Sequence, residues 1–74
     1  MRLQRGLIIY DPVGEHVLKV TTPGKAEDLV TCEVVLDSLN RVPLDTTIRT
    51  YGPDRTKWFE PCSDAKFAIY ERTH

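Results

Sequence analysis

The sequence has few of the residues that usually build metal and catalytic centres. Two cysteines, Cys32 and Cys62, and two histidines, His16 and His74, are spread over 74 residues. None of them lies in a CxxC pair or in another spacing typical of zinc ligands. The glycines lack the GxGxxG and GxxxxGK spacings of phosphate-binding loops. We therefore expect neither a bound metal nor a cofactor.

Long apolar runs are missing as well. No window approaches the roughly 20 consecutive apolar residues that span a bilayer. Asp11 interrupts the first apolar stretch before it reaches the length of a signal peptide's hydrophobic region. Eleven acidic residues nearly balance ten basic ones, which argues against a dedicated polyphosphate binder. These features predict a soluble cytoplasmic protein that makes no membrane contact.

The two cysteines allow two interpretations. A disulfide between Cys32 and Cys62 would close a loop of about 30 residues and stabilise the domain by about 3 to 4 kcal/mol in the chain-entropy model. Cys32, however, falls on the apolar face of a predicted strand, where a free cysteine acts as a small hydrophobic residue. We expect two free thiols, in keeping with the absence of a signal peptide.

The pattern of apolar residues favours strands over helices. A chain of 74 residues holds one domain, which we expect to cover residues 1–74. The clearest strand is residues 29–36, in which the alternate residues Val30, Cys32, Val34 and Leu36 would share one buried face. Further strands are predicted over residues 7–10, 16–21, 46–51, 57–59 and 66–70.

Proline and glycine mark the turns between these strands. Turns are predicted at residues 11–14, 22–25 and 52–55, with a solvated loop over 25–28 and a connector over 37–41. The C-terminal segment is ambiguous, because Ser63 could cap a helix whereas Phe67 and Ile69 alternate as in a strand. We favour a short helical turn near residues 61–64 followed by the strand.

Five or six short strands with regular turns predict a mainly β fold. The expected architecture is a small antiparallel barrel or a strongly bent sheet with at most one short helical turn. We favour an SH3-like barrel, with an OB-like barrel as the alternative. Such small folds host many unrelated functions, so the fold by itself does not indicate one.

Enzymatic chemistry has little support in the sequence. We expect His16 to be an exposed strand residue, and Cys32 lies in apolar surroundings beside Glu33 that do not favour a reactive thiolate. Acidic residues could meet across turns, as in the pairs Asp11–Glu15 and Asp54–Glu60. Short acidic side chains more commonly bond turn amides, which is the role we expect for Asp11, Asp37, Asp45 and Asp54. The sequence therefore predicts no enzyme.

Charge is distributed unevenly along the chain. Residues 27–45 carry five acidic residues and one basic residue, whereas residues 46–58 carry three basic residues and one acidic residue. Basic and aromatic side chains are interleaved in the second segment, which is typical of protein interfaces and of surfaces that bind single-stranded nucleic acid. The predicted partner-binding residues are Arg49, Tyr51, Arg55, Lys57 and Trp58. Alternatively, Phe59 fills the core together with Tyr51 or Trp58.

These observations favour a non-enzymatic protein-binding module, such as a small regulator or adaptor from a phage or a bacterium. A small nucleic-acid-binding β-barrel is the alternative. A third possibility is a structural subunit of an oligomeric assembly, including a homo-oligomer, which a long unpaired edge strand at residues 29–36 would favour.

Overall fold

The computed structural model describes residues 2–24 and 29–73. Five antiparallel strands form one sheet in the order β4-β3-β2-β1-β5. The prediction of a mainly β fold is confirmed, whereas the predicted loop over residues 25–28 lies outside the described residues. The elements along the chain are β1 (Ile8–Asp11), β2 (His16–Thr22), β3 (Val30–Leu36), β4 (Thr47–Tyr51), α1 (Pro53–Thr56), β5 (Glu60–Pro61) and α2 (Asp64–Thr73).

The sheet is open. β4 and β5 each have one strand neighbour among the described residues, so neither an SH3-like nor an OB-like barrel is confirmed. β3 pairs with β2 on one side and with β4 on the other. The segment considered above as an unpaired edge is therefore interior, and the longer of the two edge strands is β4.

Apolar side chains pack on both faces of the sheet. The first face carries the larger cluster, which consists of Ile9, Leu18, Val20, Val30, Cys32, Val34, Tyr51 and Phe59. The second face carries Val17, Val35 and Leu36, against which Ile69 and Tyr70 of α2 pack. Each sheet face is thus covered separately, by the N-terminal segment with Leu3 and Leu7 on the first face and by α2 on the second.

A β-bulge in β3 places Leu36 on the sheet face opposite to the predicted one. Val17 pairs with Leu36 and Leu18 pairs with Val34, so β3 contains one extra residue, Val35, between these two pairs. An extra residue reverses the alternation of side chains beyond it. Val34 stays in the first cluster as predicted, whereas Leu36 is buried in the second cluster.

The strand predicted over residues 66–70 is wrong, because this segment belongs to α2. Ser63 caps the helix, since its Oγ accepts a hydrogen bond from the Lys66 amide at 3.3 Å. Phe67 and Tyr70 lie one helical turn apart with ring centroids 5.8 Å from each other. Helical spacing therefore outweighs the alternation of Phe67 and Ile69, and the helix content exceeds the single turn that was predicted.

The strand predicted over residues 57–59 is also wrong. The chain leaves β4 at Gly52 and forms α1, a single helical turn with Pro53 in its first turn, where a missing amide hydrogen costs nothing. The short strand β5 follows later, where Glu60 and Pro61 pair with β1. Pro61 is tolerated because β5 is an edge strand. Neither α1 nor α2, the two helices of the described residues, has the length and apolar character needed to cross a membrane.

Candidate functional site

The five predicted partner-binding residues divide into buried and exposed members. Tyr51 is 5% exposed and belongs to the core, whereas Trp58 is 57% exposed. Arg49 and Lys57 are exposed, and Arg55 is half-buried. The five side chains therefore do not form one continuous surface.

Phe59, rather than Trp58, fills the core beside Tyr51. The two rings meet edge to face, with centroids 5.1 Å apart and planes inclined by 78°, a favourable geometry for aromatic pairs. Trp58 lies in the turn that ends α1 and stays exposed, whereas Phe59, the next residue, is buried. The aromatic partner of Phe59 in the core is therefore Tyr51 and not Trp58.

The backbone around Trp58 is held by the turn that ends α1. The Trp58 amide donates a hydrogen bond to the Arg55 carbonyl at 3.0 Å, and the Phe59 amide donates one to the Thr56 carbonyl at 3.1 Å. The Lys57 ammonium lies over the Trp58 ring, 5.8 Å from its centroid, within the range of cation–π contacts. Lys57 and Trp58, hereafter the Trp58 surface, are thus presented on an anchored segment.

An ion pair between buried Asp11 and half-buried Arg55 joins α1 to the β1–β2 hairpin. Asp11 is fully buried, and its Oδ2 accepts a hydrogen bond from Arg55 Nη2 at 2.8 Å. Its other carboxylate oxygen accepts a hydrogen bond from the Val13 amide at 3.0 Å, the turn role that the sequence predicts. The Arg55 guanidinium also lies 5.4 Å from the centroid of the Tyr51 ring. Arg55 therefore acts inside the protein and holds the turn that carries Trp58.

Gly14 packs directly against this ion pair. A Cβ atom at this position would lie 2.9 Å from His16 Nδ1 and 3.0 Å from Asp11 Oδ2, closer than side chains tolerate. His16 is half-buried rather than exposed as predicted, and its Nδ1 is buried without a hydrogen-bond partner. The hairpin turn thus encloses the Asp11 carboxylate tightly.

Burial and the nearby Asp11 carboxylate raise the pKa of two side chains, Tyr51 and Cys32. Burial raises the pKa of the Tyr51 hydroxyl, and the negative charge of Asp11 raises it further. Burial also raises the pKa of the Cys32 thiol to about 11, again with a smaller contribution from Asp11. Tyr51 and Cys32 are therefore neutral at physiological pH.

The acidic pairs considered from the sequence have different surroundings. Asp11 bonds to Arg55 and Val13, whereas Glu15, Asp54 and Glu60 are exposed. Because Asp11 is inaccessible to solvent, its carboxylate cannot contact a substrate. The described residues contain no group of three or more potential metal-ligating side chains.

The two cysteines lie in separate clusters. Cys32 belongs to the cluster on the first face and Cys62 packs against the cluster on the second, and both are free thiols. Burial raises the pKa of Cys62, whereas the nearby Lys66 lowers it. A thiolate forms less readily than usual at either position, so neither is suited to nucleophilic attack.

Thiol labelling of the native protein at about pH 8 should therefore be slow, since ordinary thiols titrate at about 8.5. Cys62 is expected to react slowly and Cys32 to react only on unfolding. Each of the variants Cys62→Ser and Cys32→Ser retains one cysteine, so mass spectrometry of the two variants assigns a labelling rate to each thiol. Labelling of Cys32 at the same rate with and without denaturant would contradict its burial.

An exposed apolar edge was missed by the sequence analysis. Ile48 of β4, Leu44 in the preceding loop and Leu29 before β3 are all exposed. The sequence does not reveal that these residues lie near one edge, because Leu29 comes close to β4 only through the pairing of β3 with β4. Within the sequence, the four-residue spacing of Leu44 and Ile48 was the one local signal of this exposed edge.

No family model matches the chain, and no curated protein or solved structure matches it either.

Proposed function

We propose that this protein is a non-enzymatic, cytoplasmic protein-binding module that contacts its partner through the Trp58 surface. The observation that carries the proposal is the 57% exposure of Trp58 on a segment whose backbone is fixed by α1. A large exposed aromatic side chain on a rigid support is the residue type most enriched among interface hot spots. The core does not require it, since Tyr51 and Phe59 already pack together.

Anchoring of the segment favours binding over a purely structural role. Arg55 is tied to Asp11 on one side of Trp58, and Phe59 is buried on the other. A preorganised anchor loses little conformational freedom when a partner binds. The partner chemistry that fits is an apolar pocket for the indole, with acidic side chains at its rim facing Lys57.

Nucleic acid is the less favoured partner. Of the three basic residues in segment 46–58, Arg55 is engaged with Asp11, which leaves Arg49 and Lys57 exposed. Two phosphate contacts would give a salt slope no steeper than about −2 and little affinity at physiological salt.

Replacement of Trp58 by alanine should weaken the partner complex by about 2 kcal/mol or more, a loss of roughly thirtyfold in affinity. Immobilised wild-type protein and Trp58→Ala are first compared in an extract of the native host, and proteins retained by the wild type alone are identified. The affinity of the purified partner for both forms is then measured by calorimetry.

Phe67→Ala provides the matched control, because Phe67 is another exposed aromatic residue and lies on α2. This variant should bind like the wild type. Both variants should melt cooperatively near the wild-type temperature. Equal affinity of Trp58→Ala and wild type for every retained protein would contradict the proposal, and nuclease-sensitive retention with a salt slope of about −2 would favour nucleic acid.

A further inference from the structure

The free edge of β4 has a regular arrangement of side chains. Residues that pair directly across neighbouring strands point to the same face of the sheet. Ile48 pairs with Glu33 and Arg49 pairs with Cys32. Because Cys32 lies in the cluster of the first face, Arg49 shares that face and Ile48 lies on the second face. On its other side β4 has no strand neighbour among the described residues.

Exposed apolar groups flank Ile48 at equal distances along the chain. Leu44, four residues before Ile48, is fully exposed and lines the same shallow depression as Glu33 and Val35. Gly52, four residues after Ile48, has no side chain, and a Cβ atom there would lie 3.9 Å from the exposed Leu29. The edge therefore has an apolar projection at one end and an apolar gap at the other.

This arrangement is self-complementary. In an antiparallel pair of two identical strands related by a two-fold axis, one residue faces its own copy, and residues at equal distances on either side of it face each other. With Ile48 on the axis, Ile48 faces Ile48. Leu44, in the bend before β4, then lies at the same end of the interface as Gly52 and Leu29 of the other copy.

Charge disfavours the register shifted by one residue towards Arg49. Centring on Ile48 places Arg49 opposite Thr47, whereas centring on Arg49 would place two arginines directly opposite each other, which is destabilising. Centring on Thr47 would move half of the pairing out of β4, since the strand begins at that residue. An extended peptide of another protein would gain the backbone hydrogen bonds but would not make the two-fold contacts of Leu44.

We propose that the free edge of β4 binds a second copy of this chain, forming a two-fold dimer with a continuous sheet centred on Ile48. This interface is separate from the Trp58 surface and does not depend on the function proposed above. Pairing of a few residues buries a small area, at the low end for specific complexes, so the dimer is weak and depends on concentration.

Sedimentation velocity of the full chain, carried out up to a concentration of about 1 mM, tests this proposal. The wild type should sediment as a monomer when dilute and shift towards a dimer when concentrated. Ile48→Lys should remain a monomer, because it places two ammonium groups against each other. Thr50→Lys is the matched control, since Thr50 is also exposed on β4 but faces Thr46 in this register; it should dimerise like the wild type.

Charge reversal tests the register. Ile48→Lys and Ile48→Glu should each be monomeric alone and should associate when mixed. Hydrogen exchange of the wild type supplies a test that needs no variant, because those backbone amides of residues 46–50 that point away from β3 should exchange more slowly at high concentration.

Three results would overturn the proposal. They are a monomeric wild type at every concentration, undiminished dimerisation of Ile48→Lys, and equal loss of dimerisation in Ile48→Lys and Thr50→Lys. Trp58→Ala should dimerise like the wild type, so failure of this proposal and failure of the proposed function are distinguishable.

Discussion

Replacement of Val34 by aspartate is expected to unfold the protein. Val34 is buried in the cluster on the first face, where it pairs with Leu18 of β2. An unpaired carboxylate in an apolar core costs several kcal/mol, and the whole stability of a domain this small is on the order of 5 to 10 kcal/mol. Loss of the cooperative thermal transition, followed by circular dichroism, is the expected result.

The same change at an exposed valine provides the control. Val42 lies in the loop before β4 and is exposed, so Val42→Asp should alter the free energy of unfolding by about 0.5 kcal/mol or less. A soluble Val34→Asp variant that melts cooperatively near the wild-type temperature would show that this face is not the core.

Removal of Arg55 should be the second most damaging change. Arg55→Ala removes the charged partner of the Asp11 carboxylate and leaves the Val13 amide as its remaining hydrogen-bond donor. Breaking a fully buried ion pair by removing one partner typically costs about 3 to 5 kcal/mol. Because the Arg55 side chain is 41% exposed, its removal lets water approach Asp11, and we expect a loss at the lower end, about 3 kcal/mol. Urea denaturation of wild type and variant measures the difference directly.

A second aspartate–arginine pair in the same chain isolates the effect of burial. Arg41 Nη2 lies 3.0 Å from Asp37 Oδ2, but Arg41 is exposed. Backbone hydrogen bonds, first that from the Arg41 amide, lower the pKa of Asp37, and Arg41→Ala retains them. This substitution should therefore destabilise the protein much less than Arg55→Ala. Equal destabilisation by Arg41→Ala and Arg55→Ala would show that burial of Asp11 contributes nothing.

Local sequence signals were sufficient for the first four strands, although not for β5. Alternation predicted β3 and the burial of Val30, Cys32 and Val34, since a period of two is the geometry of a half-buried strand. Turn residues separated the first four strands at nearly the observed boundaries. Asp37 bonds the amides of Leu39 and Arg41 as expected of a turn aspartate.

Features that depend on distant residues could not be predicted in this way. The bulge at Val35 is defined by the pairing of β2 with β3, and it moves Leu36 to the other face without a local signal. Asp11 and Arg55 are 44 residues apart, so their ion pair exists only in the folded chain. It changes the interpretation of Arg55 from a surface contact to an internal support.

The C-terminal helix was misassigned because two local signals compete there. The alternation of Phe67 with Ile69 suggests a strand, and the Ser63 cap suggests a helix. Tertiary contacts favour the helix, since Ile69 and Tyr70 pack on the second cluster and Lys66 Nζ donates a hydrogen bond to Asn40 Oδ1 at 3.0 Å.

The fluorescence of Trp58 tests the central claim most directly, because it is the single tryptophan of the chain. We predict the emission of a water-exposed indole in the free native protein, readily quenched by iodide. Binding of the purified partner should shift the emission to shorter wavelength and protect the ring from the quencher, since a hot-spot aromatic is desolvated in the complex. Emission and quenching that stay unchanged at saturating partner would contradict the account.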